Sequence, residues 1–268
     1  MSIASSLAVI LYLSSGILLL RWLFQHPGQP ETAKQKLLLP GLIAVMLHGW
    51  ILYHSIFNNP AGLDVGFFTI FSLVGWLVAL LLLGAAFRQP IEPLGILVLP
   101  FTALALVLGQ VSDQHHYLSH TLDGGLKFHI IISILAYSLL SIAMVQALLL
   151  YVQDAQLHNK HPGGFIRALP PLQTMETLLF RMIGLGFIVL SISLISGIIF
   201  IDDLFAQHLV HKTVLSIIAW LLFAVLLWGR WQFGWRGRIA IRWAMSGFVM
   251  LMLAYFGSKF VIELVLQR

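Results

Sequence analysis

Apolar residues run along this chain in long blocks separated by short polar stretches, and the blocks fill nearly its whole length. A helix that crosses a bilayer needs about 20 mostly apolar residues. Eight blocks meet or approach that length: residues 3–23, 37–57, 67–87, 93–111, 126–152, 177–201, 211–228 and 239–265. The fourth and seventh are the shortest, and the fourth carries Pro100. Lipid offers no water to unpaired backbone groups, so each block is expected to be a helix. The pattern predicts an all-α, polytopic integral membrane protein whose single membrane domain spans residues 1–268.

Composition agrees with this pattern. Hydrophobic residues make up 59% of the chain and charged residues 9%, against roughly 25% charged in soluble domains. With a mean hydropathy of +0.94, a soluble fold has too little polar surface to cover the apolar part. Cysteine is absent. That excludes structural disulfides, thiolate metal sites, CxxC redox pairs and covalent haem attachment through this chain. Any cofactor must be held non-covalently, by histidine or weaker ligands.

The basic residues report topology rather than nucleic-acid binding. Eleven of the fifteen follow the first, third, fifth and seventh blocks: Arg21, Lys34, Lys36, Arg88, Lys160, Arg167, Arg181, Arg230, Arg236, Arg238 and Arg242. The other side has only Lys127, Lys212, Lys259 and Arg268. Lys and Arg accumulate on the cytoplasmic side, so both termini and the connections 58–66, 112–125 and 202–210 are expected outside. The first block follows MSIASS, which has no basic residue, and precedes Arg21. A cleavable signal has the opposite charge order, so a retained anchor is expected. Trp228, Trp231, Trp235 and Trp243 lie among arginines at the inner ends of the last two spans, as an interfacial aromatic belt does.

Candidate chemistry rests on eleven histidines. His54, His115, His116, His120, His129, His208 and His211 fall on or near the outer side, and His48 lies inside the second span. His26, His158 and His161 read as loop surface residues. DQHHYLSH (113–120) offers imidazoles to a metal or is simply a solvated loop. Asp202 and Asp203 read as a solvated pair. Ionisable groups within a membrane are rare and face the bundle, which singles out His48 and His129. His129, Ser133 and Tyr137 follow at four-residue steps and share one helix face. That face is either a ligand site or a polar stripe joining helices. His211 either belongs to such a site or lies at the interface beside Lys212. Ser193 and Gly197 form a small-xxx-small pair suited to close helix approach. No hydrolase triad, phosphate loop or metalloprotease motif is present.

Several stretches together resemble the cytochrome c assembly family of the CcsA type, whose members are membrane haem-handling proteins. FHIIISILAYSLL (128–140) is similar to the family's histidine-led helix, and GFIVLSISLISGIIF (186–200) to its Gly-Phe…Gly helix. KTVLSIIAW (212–220) and GWRGRIAIRWAMSGFVMLMLAYFG (234–257) resemble its last two spans. The resemblance covers roughly residues 65–260 and is strongest to the YpjD-like inner-membrane subgroup, which PPLQTMETLLFRMIG (170–184) also fits. It implies a protein of the bacterial inner membrane with non-covalent haem held by His129. Haem-exporting members carry a tryptophan-rich outer motif before the penultimate span. Here that stretch is FIDDLFAQHLVHK (200–212), without tryptophan, and Trp228 stands where they place a histidine.

The function expected is haem binding in support of cytochrome c or haem-protein assembly, with a membrane or periplasmic assembly partner and no catalysis by this chain. The alternatives are a haem-free accessory subunit that binds a partner protein, and a small-molecule transporter using intramembrane histidines. For the iron, His129 is the expected first ligand and His48 the second, with His211 or His54 as substitutes. At 1.5 Å per residue, His129 lies about 5 Å and His48 about 13 Å below the outer ends of their spans, while His54 lies some 240° around the helix from His48. The topology has a direct check: reporter fusions at the C-terminus and within residues 153–176 are expected to report opposite sides of the membrane. The same side for both would contradict it.

Overall fold

The computed structural model describes residues 2–25, 31–57, 63–112, 117–118, 123–158, 169–201 and 210–260. Within them stand eight long helices: α1 (Ile3–Gln25), α2 (Glu31–Phe57), α3 (Phe67–Ala86), α4 (Glu92–Val111), α5 (Gly124–His158), α6 (Leu172–Phe200), α7 (Val210–Phe233) and α8 (Gly237–Met252). A π-helical turn, Leu253–Gly257, continues α8. All eight expected spans are present as helices long and apolar enough to cross a membrane. The protein is an all-α integral membrane protein. The sequence DQHH (113–116), the histidines His26, His120, His161 and His208, and Asp202 and Asp203 lie outside the described residues.

The helices differ from the apolar blocks mainly in length. α5 has 35 residues, about 52 Å at 1.5 Å per residue, which exceeds a hydrocarbon core of about 30 Å. It continues through DAQLH, where Ala155, Gln156 and Leu157 favour the helix after the apolar run has stopped. α6 likewise begins at Leu172, five residues ahead of the expected start. Pro171 precedes it, and Pro93 lies in the first turn of α4, where a missing N–H is harmless.

The chain divides into two compact units, residues 1–120 with 156–170, and residues 121–155 with 171–268. In the first, α1 packs on α2 and α4, and α3 packs on α2 and α4. The ring of Pro100 lies over Gly16, where an added Cβ would touch it at 3.4 Å. Thr102 donates to the Gly75 carbonyl at 3.1 Å. Strands β1 (Leu63–Asp64) and β2 (Tyr117–Leu118) pair antiparallel and tie together the connections that leave α2 and α4. The buried carboxylate of Asp64 caps this end: it accepts from the Gly66 N–H at 2.9 Å and the Thr69 hydroxyl at 2.8 Å.

In the second unit α7 packs on α6 and α8, and the π turn packs on α7. Without attraction from water exclusion between helices, close approach of small residues supplies the packing energy. Gly186 sits against Leu140, where a Cβ would approach the side chain to 2.6 Å. At the α7–α8 turn, Arg230 donates to the Trp235 carbonyl at 3.1 Å and lies over the Phe180 ring at 4.6 Å. Trp228 and Trp231 are exposed. The buried Glu176 accepts from the Gly237 N–H at 2.6 Å, so α6 caps the start of α8. Gly237 has φ +54°. Only Glu176 comes within 4 Å of an added Cβ there, so replacing Gly237 by Ala strains the backbone without a clash. Gly237→Ala is expected to lower stability by about 1–2 kcal/mol, read as a fall in the thermal unfolding midpoint in detergent.

Candidate functional site

The polar face foreseen on α5 is present in the second unit. The half-buried His129 points its Nδ1 at α6, 3.1 Å from the Ser193 carbonyl and 3.0 Å from Ser196 Oγ. One turn on, Ser133 donates to the His129 carbonyl at 2.6 Å and meets the Ser193 hydroxyl at 2.7 Å. Gly197 completes the seat. A Cβ there would lie 3.1 Å from His129 Cε1, so the absence of a side chain lets the imidazole rest on the α6 backbone. The small-residue pair Ser193 and Gly197 thus accommodates a histidine ring.

This arrangement fixes the tautomer. A carbonyl oxygen only accepts, so Nδ1 facing Ser193 must carry the proton. Ser196 already donates its own hydroxyl proton to the Ser193 carbonyl at 2.8 Å, leaving a lone pair for Nδ1–H. In the neutral ring Nε2 then bears the free lone pair, and among the described residues it has no hydrogen-bond partner. A histidine whose Nδ1–H is held by a backbone carbonyl is oriented to ligate a metal through Nε2.

Tyr137 extends the same face. Its ring packs on Phe256 of the π turn and Phe248 of α8, with centroids 5.3 and 5.8 Å away. Its hydroxyl is buried with no partner among the described residues. π turns recur at functional sites because they shift side chains out of helical register.

His48 is held differently, in the first unit. It is fully buried, and both nitrogens are engaged: Nδ1 with the Tyr12 hydroxyl at 3.3 Å and Nε2 with Ser72 Oγ at 2.9 Å. Both partners are hydroxyls, which donate or accept equally well, so either tautomer is satisfied. His54, about one and two-thirds turns along α2, is exposed and packs edge-on against Trp50 at 4.7 Å. His48 and His54 therefore occupy different faces of one helix. His211 is exposed in the first turn of α7, in the unit that holds His129. Among the described residues no group of three or more histidines and carboxylates converges as a metal site. Sequence reasoning missed Tyr12, Ser72 and Ser196. Each left the same faint signal, a hydroxyl within an apolar run, which does not say what it bonds.

These features define a multi-span helical membrane protein with one oriented, half-buried imidazole. The family model described as Cytochrome C assembly protein matches residues 36–266, and the chain belongs to that family. The match begins well ahead of the stretch whose resemblance is evident by eye. The inner membrane protein YpjD of Escherichia coli K12 is 30% identical over 266 residues, covering 99% of this chain and 100% of that protein. An uncharacterised 28.8 kDa protein of Azospirillum brasilense is 32% identical over 53% of each chain. The cytochrome c biogenesis protein CcsA of Gloeobacter violaceus is 31% identical over 103 residues, 38% of this chain and 30% of that protein.

The unpartnered phenol gives a test of the site. Tyr137→Phe removes a buried hydroxyl that makes no hydrogen bond among the described residues, so the protein is expected to gain about 1–2 kcal/mol. The readout is a higher unfolding midpoint in detergent. A fall would mean the hydroxyl has a partner.

Proposed function

We propose that this protein is a haem-handling component of cytochrome c or haem-protein assembly in the bacterial inner membrane, and that His129 is its iron ligand. The observation that carries the reading is the Nδ1–H of His129, held by Ser193 and Ser196, with Nε2 left as a lone-pair donor. Haem, carried here as cargo, supplies an iron that accepts a neutral imidazole. The chain's own contribution is to orient that imidazole and to offer the Tyr137 hydroxyl along the same face. Family membership and the similarity to CcsA support the assembly role. The similarity to YpjD supports the inner-membrane location. The termini are assigned to the periplasmic side from the basic-residue distribution, and the chain is assigned no covalent catalysis because it has neither cysteine nor a nucleophile–base motif.

As the second residue that would hold the iron we assign His211 ahead of His48 and His54. Recruiting His48 would break a hydrogen bond of a buried group, at a cost of about 1–3 kcal/mol. His211 is exposed and belongs to the same unit as His129. The second reading is a haem-free accessory subunit that binds a partner protein. The tryptophan-free stretch FIDDLFAQHLVHK (200–212) favours it.

An absorption spectrum of the purified protein separates the two readings. A Soret band is expected in the wild type, lost in His129→Ala, weakened in Tyr137→Phe and His211→Ala, and unchanged in His54→Ala. A colourless wild-type protein that takes up no added haemin would overturn the haem reading. An unchanged band in His129→Ala would overturn the ligand assignment.

A further inference from the structure

The first unit carries a polar line unrelated to His129. At one end lies Asp64, 1% exposed, whose Oδ2 accepts from Thr69 at 2.8 Å. At the other lie Ser72, His48 and Tyr12, joined by bonds of 2.9 and 3.3 Å. Between Thr69 and Ser72 is a cavity of about 10 Å³ to which both contribute, together with Ser55 and Gln110. A cavity admits one water from about 10–15 Å³, if it offers two to four polar partners.

The partners here are complementary. The Thr69 hydroxyl proton goes to Asp64, so its lone pairs remain to accept from a water. Gln110 uses its Oε1 to accept from Ser5 at 3.2 Å, which leaves its amide N–H groups to donate. Ser55 and Ser72 each present a hydroxyl that does either. Four polar side chains thus line the cavity, enough in number to hold one water molecule.

We propose that this cavity binds a single water molecule, which closes a continuous hydrogen-bonded line from Asp64 to His48 along which protons exchange with the outer connection. An exchange is a round trip: a proton handed inward through Thr69, the water and Ser72 makes a transient imidazolium at His48, which returns a proton along the same line, so every group regains its starting charge. The line ends at Tyr12, which is fully buried, so it is an exchange site reached from one side and not a channel. This assignment stands independently of haem binding.

The test uses the full-length protein with 15N-labelled histidine in lipid nanodiscs, transferred to heavy water, with the His48 ring N–H followed by NMR. Two variants interrupt the line. Ser55→Val fills the cavity, and Thr69→Val removes the hydroxyl while keeping its shape. Both are expected to slow His48 ring exchange by at least about tenfold, since exchange would then require opening of the bundle. The wild type is expected to show a water cross-peak to His48 or Ser72 that Ser55→Val abolishes. Exchange at the wild-type rate in either variant would overturn the proposal, as would a wild-type His48 N–H that does not exchange at all.

Discussion

The structure depends on one constraint: inside a bilayer a polar group finds a partner within the protein or goes without. Helices satisfy the backbone. The side chains are left to solve the problem locally, and two histidines solve it in opposite ways. His48 gives both nitrogens to hydroxyls on neighbouring helices. His129 gives one to a backbone carbonyl and a serine, and keeps the other. The first arrangement joins α1, α2 and α3 through a fully buried ring. The second produces a directed lone pair, the property that a ligand site requires.

The difference follows from what each ring faces. A hydroxyl accepts or donates, so it leaves the tautomer of His48 undetermined and the ring able to pass protons. A carbonyl only accepts, so it determines the tautomer of His129. Gly197 makes this possible by letting the ring come down onto the α6 backbone. The serines matter here more as hydrogen-bond partners than as small residues. Tyr137 adds a hydroxyl whose hydrogen bond is missing among the described residues. A buried hydroxyl without a partner is destabilising and rare in native structures.

Much of this was legible in the sequence. Eight apolar blocks became eight helices because span length and lipid together leave no other structure. The four-residue spacing of His129, Ser133 and Tyr137 placed them on one face, and an intramembrane histidine marked a polar core. What was not legible is what arrives from elsewhere in the chain. The bonds from His48 to Tyr12 and Ser72 connect residues 36 and 24 positions apart, and the seat of His129 comes from residues 64 and 67 positions on. No periodicity within one helix records those pairings. The full extent of α5 was missed for a local reason, because the apolar signal stops before the helix does. The pairing of Leu63 with Leu118 and Asp64 with Tyr117 was invisible because two residues form no strand pattern.

The central claim is that His129 holds a free, oriented Nε2 while His48 has none to give. Nitrogen-15 spectra of histidine-labelled protein in nanodiscs test it directly, before and after addition of haemin. The account predicts a neutral His129 with an Nδ1-bound proton and an unprotonated Nε2, whose signal disappears or shifts on haemin binding together with that of His211, while that of His48 stays in place. A His129 protonated on Nε2, or a His48 signal that moves with haemin while His129 does not, would contradict it.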